Sequence, residues 1–343
     1  MIKRIYIISL LLALFAQSAI CADIEKRLIN DKATPEAVAL YDYLRENYGK
    51  KTLSAAMCRY TIKSDEADWI HKVTGKYPAI LCYDMMNATG NRGWDDYSQM
   101  IHSAKRWTAK GGIVSVMWHW RDPFKESDAF YSMNMKSTTK SRTDFDVSRV
   151  HDPSSAEYRA MVEDIDVVAE YLLKLQKLNI PVLWRPIHES QGGWFWWGAG
   201  NAEDNKALWD LLYDRMVRHH GLNNLIWIWT VDRREGRGDA EDWYPGDEKV
   251  DMLGIDIYDD PNHNSKRQHF DFTAAIGSGR KMVALSECGT IPLPENMFKG
   301  GDTWSWFMPW VDKFLHNEEF LTEETLKRIM TSDYVITRDK VKY

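Results

Sequence analysis

One pattern constrains this chain more than any other. A short apolar run is followed by a helix-like segment, again and again along 343 residues. Candidate strands lie at Thr52–Met57, Ala79–Asp84, Ile113–Trp118, Pro181–Ile187, Leu225–Thr230, Met252–Tyr258, Met282–Ser286 and Thr303–Met308. Most are nearly continuous apolar runs, as expected of parallel strands buried on both faces. Helix-like segments lie between them at Asp65–Val73, Asp95–Ala109, Ala156–Leu178, Ala202–His219, Phe270–Ile276 and Thr322–Met330. Pro35–Tyr48 reads as a helix laid down before the first strand. Ser64-Asp65-Glu66 and Pro153-Ser154-Ser155 have the cap and acid chemistry of helix starts. Eight strands alternating with helices point to an α/β chain folded as one (β/α)8 TIM barrel. The rival is an open doubly wound sheet, but no Gly-x-Gly-x-x-Gly follows an early strand.

The first residues stand outside this pattern. Lys3 and Arg4 precede an apolar stretch from Ile5 to Ile20, with small residues at Ser18-Ala19. That is the make-up of a secretory leader, expected to end near residue 22, with the barrel in 23–343. The expected location is outside the cytoplasm, a periplasm first. Ser18-Ala19-Ile20-Cys21 also loosely resembles a lipobox, so tethering to a membrane through Cys21 is the alternative. No later run approaches membrane-spanning length. Cys58, Cys82 and Cys288 are the other cysteines, without Cys-x-x-Cys or zinc-ligand spacing. The net charge of −6 becomes two units more negative without the leader, which disfavours nucleic acid and anionic surfaces and suits a neutral polymer. A monomer is expected.

A barrel demands that reactive groups sit at the C-terminal ends of its strands. The 16 tryptophans concentrate there, near 118–120, 194–197, 227–229 and 304–310. Strand four runs into Arg185-Pro186-Ile187-His188-Glu189, and Trp194, Trp196 and Trp197 follow. A carboxylic acid beside indole rings suits sugar chemistry: the acid can protonate a glycosidic oxygen and flat rings can stack on pyranoses. Cleavage with retention needs a second carboxylate about 5–5.5 Å away. Glu287 ends the apolar run Met282–Ser286 on strand seven, which faces strand four across an eight-stranded ring. Glu287 could instead be a structural salt-bridge partner of Arg185 or Arg233. Both readings put a cation beside an acid that must stay ionised to attack. Glu189 needs the reverse, a raised pKa, which an apolar wall can supply.

Arg-Pro-x-His-Glu followed by Gly-Gly-Trp-Phe-Trp-Trp-Gly resembles the signature of glycoside hydrolase family 26, a barrel family dominated by endo-β-1,4-mannanases. Leu285-Ser286-Glu287 is similar to its nucleophile strand and Gly254-Ile255-Asp256-Ile257-Tyr258 to its sixth strand. The likeness runs from about Pro35 to Asp339. It implies Glu189 as acid/base and Glu287 as nucleophile. It implies that His119 and His188 contact the sugar and that Arg185 and Tyr258 position Glu287. Trp194 would be the leaving-group platform and Trp306 the ring beneath the sugar being cleaved. Implied substrates are β-mannan, galactomannan and manno-oligosaccharides, with xylan or mixed-linkage β-glucan as alternatives. The implied double displacement uses no metal and no other cofactor.

Competing readings fail on spacing or chemistry. A zinc hydrolase would need a histidine where Gly192 stands. Cys288 has no identifiable catalytic partner. A non-catalytic glycan-binding barrel would keep its tryptophans and lose a carboxylate, yet both are present. The long interval from Trp120 to Pro153, with Phe124, Phe130 and Tyr131, reads as a functional loop. It is expected to wall the glycone end of a cleft and favour release of mannobiose; a floppy insertion is the alternative.

Overall fold

The computed structural model describes residues 24–58, 64–89, 97–137, 139–232 and 239–343. The leader, Cys21 and Arg233 lie outside them. Eight parallel strands form the barrel: β1 (Thr52–Met57), β2 (Ile80–Asp84), β3 (Ile113–Met117), β4 (Val182–Arg185), β5 (Leu225–Asp232), β6 (Met252–Ile257), β7 (Met282–Cys288) and β8 (Trp306–Pro309). Each pairs with the next, and β8 closes on β1 through Leu53↔Trp306 and Ser54↔Phe307. Every residue of all eight strands is buried, which explains the unbroken apolar runs. A short β9 (Val335–Ile336) pairs with Thr52 and Leu53 at the start of β1, below the point where β2 joins at Ala55.

The helices form where the sequence supplies caps. Thr34 caps α1 (Pro35–Asn47), which has proline in its first turn. Between β1 and β3 lie α2 (Asp65–Thr74) and α3 (Ser98–Thr108). Ser155 caps α4 (Ala156–Gln176) by accepting from the Tyr158 amide at 3.0 Å. Asn201 and Asp204 form a reciprocal capping box at the start of α5 (Ala202–Tyr213). Further on come α6 (Arg267–Ile276) and α7 (Glu323–Thr331), the latter capped by Thr322. Among the described residues, no helix is long and apolar enough to cross a membrane.

Of the boundaries that differ from expectation, three have evident local reasons. β4 stops at Arg185 because Pro186 has no amide hydrogen and Ile187 takes a left-handed backbone, φ 36°. The helix expected over Ala202–His219 is α-helical only to Tyr213 and then widens into a π-helix at Asp214–His219. The eighth strand starts three residues later than expected, because the Trp304 amide and indole both turn back to Asp302.

Candidate active site

The groups of interest gather at the C-terminal ends of β2, β3, β4, β6 and β7. Arg185 is the hub. Its Nη1 donates to Asp256 Oδ2 at 2.9 Å, and its Nη2 donates to Glu287 Oε1 and to Met117 Sδ. Burial works against the guanidinium's charge, but Asp256 and Glu287 outweigh it and hold its pKa above the ordinary value. Tyr258 donates its hydroxyl to Glu287 Oε2 at 2.6 Å. Burial and the neighbouring Glu287 push that phenol well up, so it stays a donor.

Glu287 follows a bulge. Along β6, Ile255 pairs with Leu285 but the next residue, Asp256, pairs with Glu287. β8 registers the same extra residue: Phe307 pairs with Leu285 and Pro309 with Cys288. Ser286 is therefore one residue too many, and the alternation of side chains breaks there. Both Ser286 and Glu287 reach groups inside the ring. Ser286 Oγ donates to Asp256 Oδ1 at 2.7 Å, passing over Gly254, where an added Cβ would lie 2.6 Å from that oxygen.

Glu189 sits beyond its strand, on left-handed backbone at φ 54°. Its amide donates to the Thr230 carbonyl at 3.0 Å. Trp194 Nε1 donates to its Oε2 at 3.0 Å, and its carboxyl also hydrogen-bonds Asp256. Burial, then the charges of Asp256, Glu287 and Asp232, push its pKa well above the carboxylate range. Burial likewise pushes Asp256 up to about 7, with Arg185 opposing. Of this cluster, Glu189 is the group built to keep its proton.

Histidines line the next side. His119 Nδ1 meets Asp84 Oδ2 at 2.7 Å, and its amide donates to Asp84 Oδ1 at 3.0 Å. The His119 ring stands edge-on to His188 at 4.6 Å. Burial, then Arg185 and His119, pull the His188 pKa well below its ordinary value, so the ring is neutral. Its Nδ1 is buried without a partner among the described residues, an orphan that a sugar hydroxyl could satisfy. His188, Asp256 and Glu287 each offer an atom within 4.8 Å of the others, a spacing that could suit a cation. Arg185 already bridges the two carboxylates as their positive partner.

The structure thus brings together His119, Arg185, His188, Glu189, Trp194, Tyr258 and Glu287. It does not bring Trp306. That residue opens β8, is 2% exposed and pairs with Leu53 low in the barrel. Trp310, just past the end of β8, is the half-buried indole at the mouth, 5.9 Å from His119 between ring centres. Trp306 thus lies apart from the groups gathered at the mouth, and Trp310 is the indole that the end of β8 brings to them. Trp196 and Trp197 are fully buried and act in packing, their indoles donating to the carbonyls of Trp120 at 2.6 Å and His188 at 2.8 Å. Among the described residues Arg185 is the cation found on Glu287; Arg233, the other partner the sequence offered, lies outside them.

Other site groups were missed in the sequence. Asp84 had the same signal as the two glutamates, an acid closing an apolar strand. Asp256 was hidden inside a strand. Tyr131 was read only as part of the long loop after β3, and its place beside Phe195 had no local signal. That loop is joined to the acid loop. Ser132 donates from its amide to the Trp194 carbonyl and from Oγ to the Gly193 carbonyl, each at 2.7 Å, and the Trp196 amide donates to Phe130 at 3.1 Å. Tyr131 stacks on Phe195 at 5.5 Å, and burial, then the charges of Glu189 and Glu287, raise its phenol pKa.

Comparison with known proteins agrees with this geometry. The model of glycosyl hydrolase family 26 matches residues 29–340. A mannan endo-1,4-beta-mannosidase of Thermothelomyces thermophilus is 38% identical over 93% of this chain and 64% of its own length. Mannan endo-1,4-beta-mannosidase B of a Piromyces species is 36% identical over 95% of this chain and 55% of its own. The chain therefore spans between half and two thirds of these curated relatives. A beta-mannanase from a symbiotic protist of the termite Reticulitermes speratus, solved with a gluco-manno-oligosaccharide, superposes with a TM-score of 0.86 at 36% identity, covering 93% of this chain and 98% of that one. With the family model spanning nearly the whole barrel and the two acids at the ends of β4 and β7, the chain belongs to glycosyl hydrolase family 26.

Proposed function

We propose that this chain is a retaining endo-1,4-β-mannosidase acting on mannan, galactomannan and manno-oligosaccharides. One observation carries the reading: two buried glutamates meet at the barrel mouth, Glu189 with a strongly raised pKa and Glu287 against a guanidinium. The names of the relatives support the choice of sugar. Glu287 attacks the anomeric carbon, forming a C–O bond as the glycosidic bond breaks, and Glu189 gives its proton to the departing oxygen. Water then replaces Glu287 on that carbon, and Glu189 takes the water's proton. His119 and His188 bind sugar hydroxyls, Trp194 stacks beneath the leaving sugar and Trp310 beneath the one being cleaved. No step calls for a metal or other cofactor. The loop carrying Tyr131 walls the glycone end and favours release of mannobiose. The protein is exported as a monomer by its leader, to a periplasm in the first instance.

Reducing ends released from mannan, galactomannan, xylan and mixed-linkage β-glucan test the substrate. Release from xylan alone would overturn it. Mannobiose should dominate early products; a random ladder would refute the walled cleft. An active Glu287→Ala protein would refute the assignment of the nucleophile.

A further inference from the structure

The acid loop is held by side chains that take no part in the bond-breaking itself. Ile187 and Glu189 adopt left-handed backbone, at φ 36° and 54°. For a β-branched residue this is a true outlier, and such positions persist only where their surroundings over-determine them. The surroundings here are a small buried knot. Ser190 Oγ donates to the Ile187 carbonyl at 2.7 Å. Asn205 Nδ2, from the first turns of α5, donates to Ser190 Oγ at 2.9 Å and to the Trp197 carbonyl at 3.1 Å. The Trp197 indole returns to the His188 carbonyl at 2.8 Å. One amide group thereby ties both ends of the segment from 187 to 197. Asn205 is 1% exposed and Ser190 2%. The capping box one residue earlier fixes the turn from which Asn205 reaches out. The knot is also tight: a Cβ on Gly198 would lie 2.0 Å from the Ser190 carbonyl oxygen.

We propose that Asn205 and Ser190 are positioning residues that hold the left-handed turn at Ile187–Glu189 and so keep the Glu189 carboxyl aimed at the glycosidic oxygen. This rests on Glu189 being the proton donor argued above. A misaimed donor has a signature that general loosening lacks. A sugar leaving group needs the proton; a dinitrophenolate departs without it. In both cases Glu287 forms the new bond to the anomeric carbon while the bond to the leaving oxygen breaks.

The test compares kcat/KM for mannotetraose and for 2,4-dinitrophenyl β-mannobioside in the wild type, Asn205→Ala and Ser190→Ala. The expected result is a fall of ~10–100-fold on mannotetraose, as for a displacement of about 1 Å, with less than ~3-fold on the aryl glycoside. Equal falls on the two substrates, or no fall on either, overturn the proposal. If Asn205→Ala shows no cooperative thermal transition, Ser190→Ala decides, since it removes a single oxygen. A wild type inactive on both substrates refutes the mannanase reading itself, and this inference with it.

Discussion

The ends of β4 and β7 carry the same functional group and hold it in opposite ways. Glu287 lies within a strand, and side chains grip its carboxylate: the Arg185 guanidinium on one oxygen and the Tyr258 hydroxyl on the other. Glu189 lies beyond its strand, and the backbone aims it, through a left-handed turn tied to Thr230 and to the Asn205 knot. The charged partner sits on one acid, and desolvation dominates the other. In the proposed mechanism two identical side chains thus serve as nucleophile and acid through their support alone, the divergence that paired-carboxylate chemistry requires.

The sharpest way to break this comparison is to remove each acid in turn. Glu287→Ala should lose at least ~10⁴-fold in kcat/KM on every substrate. Glu189→Ala should lose ~10²–10⁴-fold on mannan but much less on a dinitrophenyl glycoside. Equal losses on that aryl substrate would dissolve the division of roles. Arg185→Leu should be strongly destabilising, because it leaves Asp256 and Glu287 buried without their cation, at a cost of about 3–5 kcal/mol. Thermal denaturation reads this directly; a melting temperature near the wild type's would refute the hub. Tyr258→Phe removes one hydrogen bond to a charged group and should lower kcat by roughly 10–100-fold. Its kcat should fall more than its KM changes.

A gentler test uses pH. A carboxyl whose folded pKa is raised contributes stability below its unfolded pKa and loses it as pH rises through the folded value. Glu189→Gln should therefore gain melting temperature relative to the wild type as pH climbs above about 4.3, the unfolded value. The basic limb of kcat/KM for mannan should disappear in the same variant. A constant difference in melting temperature between pH 4 and pH 8 would refute the raised pKa. A last test concerns the rings. Trp310→Ala should raise KM and leave melting nearly unchanged, whereas Trp306→Ala should cost about 3–5 kcal/mol as a core truncation with little change in KM. The reverse would restore Trp306 to the cleft.

What the sequence revealed follows from the same physics. Strands buried on both faces must be apolar throughout, so the eight barrel strands stood out. An acid ending such a run is costly unless it has a task, and that made Glu189 and Glu287 visible. Asp256 was not singled out, because it lies within its run; only the fold reveals that its carboxyl faces Arg185. Trp306 misled because a tryptophan-rich strand does not say which ring reaches the mouth. The contacts of Tyr131 with Phe195 and of Asn205 with the acid loop were illegible for a third reason. Each residue meets the site through contacts between segments distant in sequence or across a turn, and no local period encodes them.

The extra residue in β7 has a consequence for how such a site can change over generations. The bulge lets two consecutive side chains, Ser286 and Glu287, face the inside of the ring, which regular alternation would not allow. Deleting Ser286 would remove the bulge, keep Asp256 paired with Glu287 and take away the hydroxyl that reaches Asp256, so shortening the strand here by one residue would spare the direction of the carboxylate.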